Sequence, residues 1–298
     1  MVGMQLFQVD AFTTKRFTGN PATVILDAEG QSDASLAAIA REFPHAETAF
    51  VLPPDAADHD VRVRFFNARK EAPFVGHASV AVHTVLLALN RRSVGIARQK
   101  SGTGILEVRA EAGNAPAPFI EFRQGAPEMG VPLTLQDALR VAQALGVPGE
   151  SLHERFPARI ARNGSSRLLL ALANPDVLDR IEPRFEQILA LGREFGADGF
   201  FAFGLMRGAG GTRTYSRMFC PALGIPEDPV SGNAHSMLAA YLWDLQQLNV
   251  AEPRFVGFQG AQMQRPGQVH VSLEIESGTM RAARIGGHAV IVSDGRLV

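Results

Sequence analysis

A single cysteine, Cys220, stands among the 298 residues. That scarcity rules out an intramolecular disulfide, a Cys-rich zinc site and a catalytic thiol pair, and the chain reads as cytoplasmic. Charge of one sign is equally scarce. With 29 Lys and Arg against 30 Asp and Glu, the formal net charge is −1, so nothing draws the chain to a phosphate backbone or an anionic lipid surface. Nucleic acid and membrane are disfavoured as partners, and the expected ligand is small. No stretch approaches the ~20 apolar residues of a membrane span. The opening MVGMQLFQVDAF lacks the basic and apolar regions of a signal peptide, and no Pro-rich linker, Ser/Gly tract or block of like charge marks a disordered tail.

What is present is an ordinary globular composition, 46% hydrophobic and 20% charged, at about twice the usual ~150-residue domain length. The chain also repeats itself. Leu36–Leu52 reads LAAIAREFPHAETAFVL and Ile188–Gly204 reads ILALGREFGADGFFAFG, with Arg41-Glu42-Phe43 matching Arg193-Glu194-Phe195 at an offset of 152. Each is an amphipathic helical stretch running into a short apolar strand. Further on, Gly76-His77-Ala78 follows Phe66 and Gly232-Asn233-Ala234 follows Phe219, at an offset of 156. Val61–Phe65 and Val269–Leu273 alternate with period two, as half-buried strands do. The segments after Gly76 and Gly232 are helix formers, apolar on nearly every side, and such a helix must be enclosed by protein. The expected fold is α+β: two pseudo-symmetric halves, each a β-barrel-like sheet wrapped around a central helix. The expected domains are 1–118 with 281–298, and 119–280.

Chemistry is expected at the two helix starts. A glycine opening an apolar helix exposes backbone N–H groups which, with the helix dipole, form an anion site. If the halves pack about a pseudo-twofold axis, both starts can face one cleft suited to a carboxylate-bearing molecule. Acids lie close by in sequence. Glu71 is five residues before Gly76 and Asp228 four before Gly232. Glu47, at the position that the repeat matches to the Asp198 region, sits between a helix and an apolar strand, where desolvation would raise its pKa toward the range for proton transfer.

The residues Asp10-Ala-Phe-Thr, Phe17-Thr-Gly-Asn-Pro21, Ala46-Glu-Thr-Ala-Phe-Val51, Pro73-Phe-Val-Gly-His-Ala78, Gly224-Ile-Pro-Glu-Asp-Pro229 and Ser231-Gly-Asn-Ala234 resemble the phenazine-biosynthesis PhzF-like family, relatives of diaminopimelate epimerase. The resemblance covers essentially the whole chain in order. It implies isomerisation by metal-free proton transfer, with no cofactor, at an active site between two barrel-like halves, and it is compatible with a homodimer. By motif it assigns catalytic roles to Glu47, His77 and Asp228, and substrate binding to Asn20, Gly76, Ala78, Ser231, Gly232 and Asn233. Asn233 stands where the family often has Ser. The partner implied is a small carboxylated metabolite, cyclic or unsaturated in type.

Two other readings stand beside this one: a catalytically silent carboxylate-binding or interaction protein on the same scaffold, and a two-base racemase using Glu47 and Asp228. Cysteine-based racemisation is excluded, because His77 and Asn233 occupy the helix starts and Cys220 lies elsewhere. His153-Glu-Arg-Phe is not a zinc-binding HExxH, and no histidine group converges as a metal site needs. Gly208–Gly211 reads as a flexible turn and Cys220 as a buried small hydrophobe.

Overall fold

The computed structural model describes residues 3–43, 47–113, 117–208 and 211–298. Ala46 of the Ala46–Val51 motif, and Ala209 and Gly210 of the glycine-rich turn, lie outside them. Two compact units emerge, residues 1–123 with 286–298, and residues 124–285.

The first unit runs β1 (Gln5–Ala11), β2 (Asn20–Ile25), α1 (Asp33–Arg41), β3 (Thr48–Leu52), β4 (Val61–Phe66), β5 (Glu71–Ala72), α2 (Gly76–Ala88), β6 (Gly95–Ser101), β7 (Gly104–Glu111) and β8 (Phe119–Gly125), which crosses the unit boundary. The C-terminal strand Ala289–Arg296 returns to lie antiparallel to β1. Strand β1 is antiparallel to β2, β2 parallel to β3 across α1, β3 antiparallel to β4, and β4 parallel to β6 across α2.

The second unit runs β9 (Glu128–Pro132), α3 (Leu135–Ala144), β10 (Arg159–Asn163), β11 (Ser165–Leu172), α4 (Phe185–Phe195), β12 (Gly199–Gly208), β13 (Gly211–Cys220), β14 (Ile225–Asp228), α5 (Gly232–Asp244), β15 (Arg254–Gln259), β16 (Gly267–Glu276) and β17 (Thr279–Gly287). Its ladder has the same order of senses: β10 antiparallel to β11, β11 parallel to β12 across α4, β12 antiparallel to β13, and β13 parallel to β15 across α5. The duplication seen in the letters is therefore a duplication of topology.

In each unit one helix lies within the sheet, while α1 in the first unit and α3 and α4 in the second lie outside it. Helix α1 begins at Ser32, whose hydroxyl accepts from Ser35 N, and carries Asp33 in its first turn and Arg41 in its last, which suits the helix dipole. One side of it, Leu36 and Ala40, packs with Ile25, Phe50 and Phe66 on one face of the sheet. Helix α4 ends on Gly196 at φ 67, a left-handed cap that glycine reaches without strain. It joins α3 over Leu168, Leu170, Phe200, Ala202 and Phe219. Helices α2 and α5 have no wet side: Ala78 through Leu86 of α2 and Ala234 through Leu242 of α5 are buried without a break. Each fills the inside of its curled sheet, as helices apolar all round must.

Period-two alternation sets what the inner helices meet. On β12, Phe200 and Ala202 join the outer cluster, whereas Phe201 lies edge-on to His235 and Phe203 edge-on to Tyr241, both in α5. On β3, Phe50 is outer, which puts Glu47, Ala49 and Val51 on the α2 side.

Candidate active site

In the first unit Glu47 immediately precedes β3 and His77 is the second residue of α2. Glu47 Oε2 lies 3.6 Å from His77 Nε2, with the two side chains only 15% and 10% exposed. The backbone of the glutamate is held by the adjacent strand. Its carbonyl accepts from Thr23 N at 3.3 Å, continuing the parallel β2–β3 ladder one step before the Thr23–Thr48 pair. Helix α2 starts at Val75 with no side-chain cap, and Gly76 is required there, because a Cβ would sit 2.7 Å from the Phe122 ring. Val75 thus supplies no side-chain acceptor to the first turn, and the helix dipole there favours a negative ligand. Ala78 is buried. Asn20 opens β2, 3% exposed, at the same end of the parallel pair as Glu47. Gly19, at φ 68, lets the chain enter this strand, since a Cβ there would meet Ala11 O at 2.2 Å.

In the second unit Asp228 ends β14 and Ser231, Gly232 and Asn233 open α5. Gln259 braces the turn between them: its Nε2 donates to Asp228 O at 2.6 Å and its Oε1 accepts from Ser231 N at 3.1 Å. Unlike α2, α5 is capped, because the Ser231 hydroxyl accepts from Ala234 N at 3.3 Å. The Asn233 amide is engaged as well. It donates to Asn163 O at 3.1 Å and accepts from the Ser165 hydroxyl at 3.0 Å, which ties α5 to the β10–β11 hairpin.

Register corrects the sequence alignment of the acids. Phe66 faces Glu71 across β4–β5, and Phe219 faces Glu227 across β13–β14. Glu71 therefore corresponds to Glu227, and Asp228, opposite Met218, corresponds to Ala72, opposite Phe65. Both glutamates are outer-face residues in the same local cluster: Glu71 chelates Arg64, which lies 5.1 Å from the Phe66 ring centre, and Glu227 chelates Arg217, 5.0 Å from that of Phe219. Glu71 is thereby removed as a candidate base. Asp228, on the opposite side of its ladder, shares the face of the inner helix. The partner of Glu47 is not Asp198 either. Thr48 pairs with Phe66 as Phe200 pairs with Phe219, so the residue in Glu47's place is Gly199. Asp198, one residue earlier, accepts from the Ser166 backbone and hydroxyl at 2.8 and 2.9 Å.

The other singled-out residues are structural. Burial pushes His83 down to about 3, reinforced by the nearby Arg92 charge; its Nε2 faces Gln99 and Arg92 reaches its Nδ1. Cys220 is buried at 2% exposure. His153 stacks on Phe156 at 3.7 Å. Among the described residues no cluster of three or more His, Cys, Asp or Glu could hold a metal ion, and no helix is long and apolar enough to cross a membrane. A groove of about 1140 Å³ opens beside Phe17, Leu87 and Arg92, toward the C-terminal end of α2, and neither Glu47 nor His77 lines it. In the sequence Arg167 carries little signal beyond being an arginine beside the apolar run LLLAL of its strand, SSRLLLAL.

A duplicated α+β fold with one buried helix per half, and a carboxylate–histidine pair at one of the helix starts, defines the diaminopimelate-epimerase-like class. The family profile for phenazine biosynthesis-like proteins matches residues 9–295. The chain is 32% identical over 295 residues to an "uncharacterized isomerase" of Clostridium acetobutylicum, covering 98% of this chain and 97% of that one. It is 27% identical over 291 residues to the trans-2,3-dihydro-3-hydroxyanthranilate isomerase of Pseudomonas aeruginosa, covering 97% of each. The crystal structure of a Bacillus anthracis phenazine biosynthesis protein of the PhzF family matches all of both chains with a TM-score of 0.88 at 25% identity. The chain belongs to the phenazine biosynthesis-like, or PhzF, family, and it is an enzyme of the isomerase class.

Proposed function

We propose that the protein moves a proton on a small carboxylated substrate, without a cofactor, using Glu47 as the acid/base. Glu47 takes a proton from a carbon beside a conjugated or carboxyl-activated centre and returns it elsewhere on the same molecule, while His77 orients the substrate or relays the proton. The observation that carries this reading is the Glu47–His77 pair, 3.6 Å apart, largely withdrawn from water and beside an uncapped helix start. Withdrawal from solvent favours the neutral carboxyl form and brings a glutamate toward neutral-pH proton transfer. Gly199 in the corresponding place supports one carboxyl group shuttling a proton over a matched pair of bases. Asp228, assigned through the family resemblance, orients the ligand. The substrate named for the Pseudomonas relative, a cyclic unsaturated carboxylate, is of the class this chemistry suits.

The test is proton exchange in D₂O with candidate substrates. The wild type should wash deuterium into a substrate C–H and release the isomer. Glu47→Gln keeps shape and hydrogen bonding but cannot cycle a proton, so turnover should fall by roughly 10² to 10⁴ with melting temperature and ligand affinity preserved. Asp228→Asn should cost less. A folded Glu47→Gln protein with full turnover would remove Glu47 from the mechanism.

A further inference from the structure

Arg167 is a buried cation whose charge has no counterpart in contact. It lies on β11, 6% exposed, and none of the ion pairs among the described residues includes it. Among the described residues its one hydrogen bond runs from Nη1 to the Ser166 carbonyl at 2.8 Å, and its buried Nε has no partner there. Arg217 in the same unit shows how this fold treats a structural guanidinium: two bonds to Glu227, two more to the Leu178 and Ile181 carbonyls, and an aromatic ring beneath.

The placement of Arg167 follows from register. Leu169 pairs with Phe201, which faces α5, so Arg167, two residues earlier on β11, faces the inner helix as well. Ser165, two residues before Arg167 and on the same face, donates to Asn233 at the start of α5. The ladder partner of Arg167 is Gly199, the residue in the place of Glu47. Asp228 shares this face and attracts Arg167 electrostatically. Burial lowers the affinity of Arg167 for its proton, and attraction to the carboxylates of Asp228 and Asp198 offsets that in part.

We propose that Arg167, with the α5 start, forms a site within the second unit that receives the carboxylate of the substrate. A planar guanidinium with a free Nε edge matches a carboxylate, and the helix N-terminus adds its dipole on the same side. The inference rests on the substrate being carboxylated, as argued above, but not on Glu47 being the base.

Titration calorimetry with anthranilate, a small unsaturated carboxylate, and with its uncharged amide tests it in the intact protein. The wild type should prefer the carboxylate by about tenfold or more, the worth of one charge-assisted hydrogen bond. Arg167→Met should abolish that preference while keeping or raising the melting temperature, because it removes a desolvated charge that Asp228 and Asp198 offset only in part. Arg167→Lys should restore part of the preference. A wild type that binds both compounds equally, or neither, overturns the proposal. So does an Arg167→Met protein that keeps the preference or melts lower as a broken structural ion pair would. Glu47→Gln, run in parallel, should keep the preference; if it also keeps turnover, the acid/base reading fails and the Arg167 site stands.

Discussion

Lowering the pH from 7 to 5 brings a proton within reach of His235, whose ring is wholly buried in α5. Its Nδ1 lies 2.7 Å from the Ser231 carbonyl, an acceptor only, so Nδ1 carries the hydrogen and Nε2 is the bare lone pair. That lone pair faces Gly257 and has no hydrogen-bond partner, with the Phe201 and Phe255 rings nearby. A second proton would bury an N–H with nothing to accept it. Desolvation accordingly lowers the pKa from 6.5 to about 4, the Ser231 bond opposing it weakly. The unfolded chain then binds the proton first. The contribution of His235 to stability is complete above about pH 6.5 and is lost as the pH falls toward 4, at up to ~1.4 kcal/mol per unit. Between pH 7 and 5 this amounts to about 2 kcal/mol. His83 titrates in the same direction, so the measurement is a difference: urea unfolding of the wild type and of His235→Gln, which is close in size and can still donate to Ser231, at pH 7, 6 and 5. The wild type should lose about 2 kcal/mol more than the variant over that range. Parallel curves would refute the burial of a neutral His235 and, with it, the packing of α5 inside its sheet.

Three further outcomes are expected. Glu227→Gln should cost roughly 3 kcal/mol in chemical unfolding, since it strands Arg217 at 9% exposure, whereas Glu71→Gln, against a more exposed Arg64 and with a side chain itself 42% exposed, should cost at most about 1 kcal/mol and leave turnover intact. Gly257→Ala would place a Cβ 2.1 Å from the His235 ring and should lower stability by roughly 1–3 kcal/mol, read by thermal melting. Asn233→Ser should lower the melting temperature, because the shorter side chain gives up the bonds to Asn163 and Ser165 that tie α5 to its hairpin, at about 1–2 kcal/mol.

Much of the architecture was determined by pattern within the chain. Period-two alternation in Val61–Phe65 and Val269–Leu273 is enough to make strands, and both fall inside them, in β4 and β16. Helices apolar all round, after Gly76 and Gly232, have nowhere to go but the inside of a sheet. The Arg-Glu-Phe repeat at an offset of 152 marks the duplicated halves, and the ladders follow it to within a residue, setting Thr48 against Phe66 as Phe200 is set against Phe219.

Register decided the rest. The difference between Glu71, five residues before its helix glycine, and Asp228, four before its own, looks trivial in the sequence. In a strand it is the difference between the two faces, because one residue reverses the side chain. Hence Glu71 and Glu227 turn outward to arginines while Asp228 turns toward the inner helix. The same physics hid Arg167. Its meaning comes from Gly199 across the ladder and Asn233 two turns of topology away, and strand pairing joins residues far apart in the chain by geometry that no local pattern encodes.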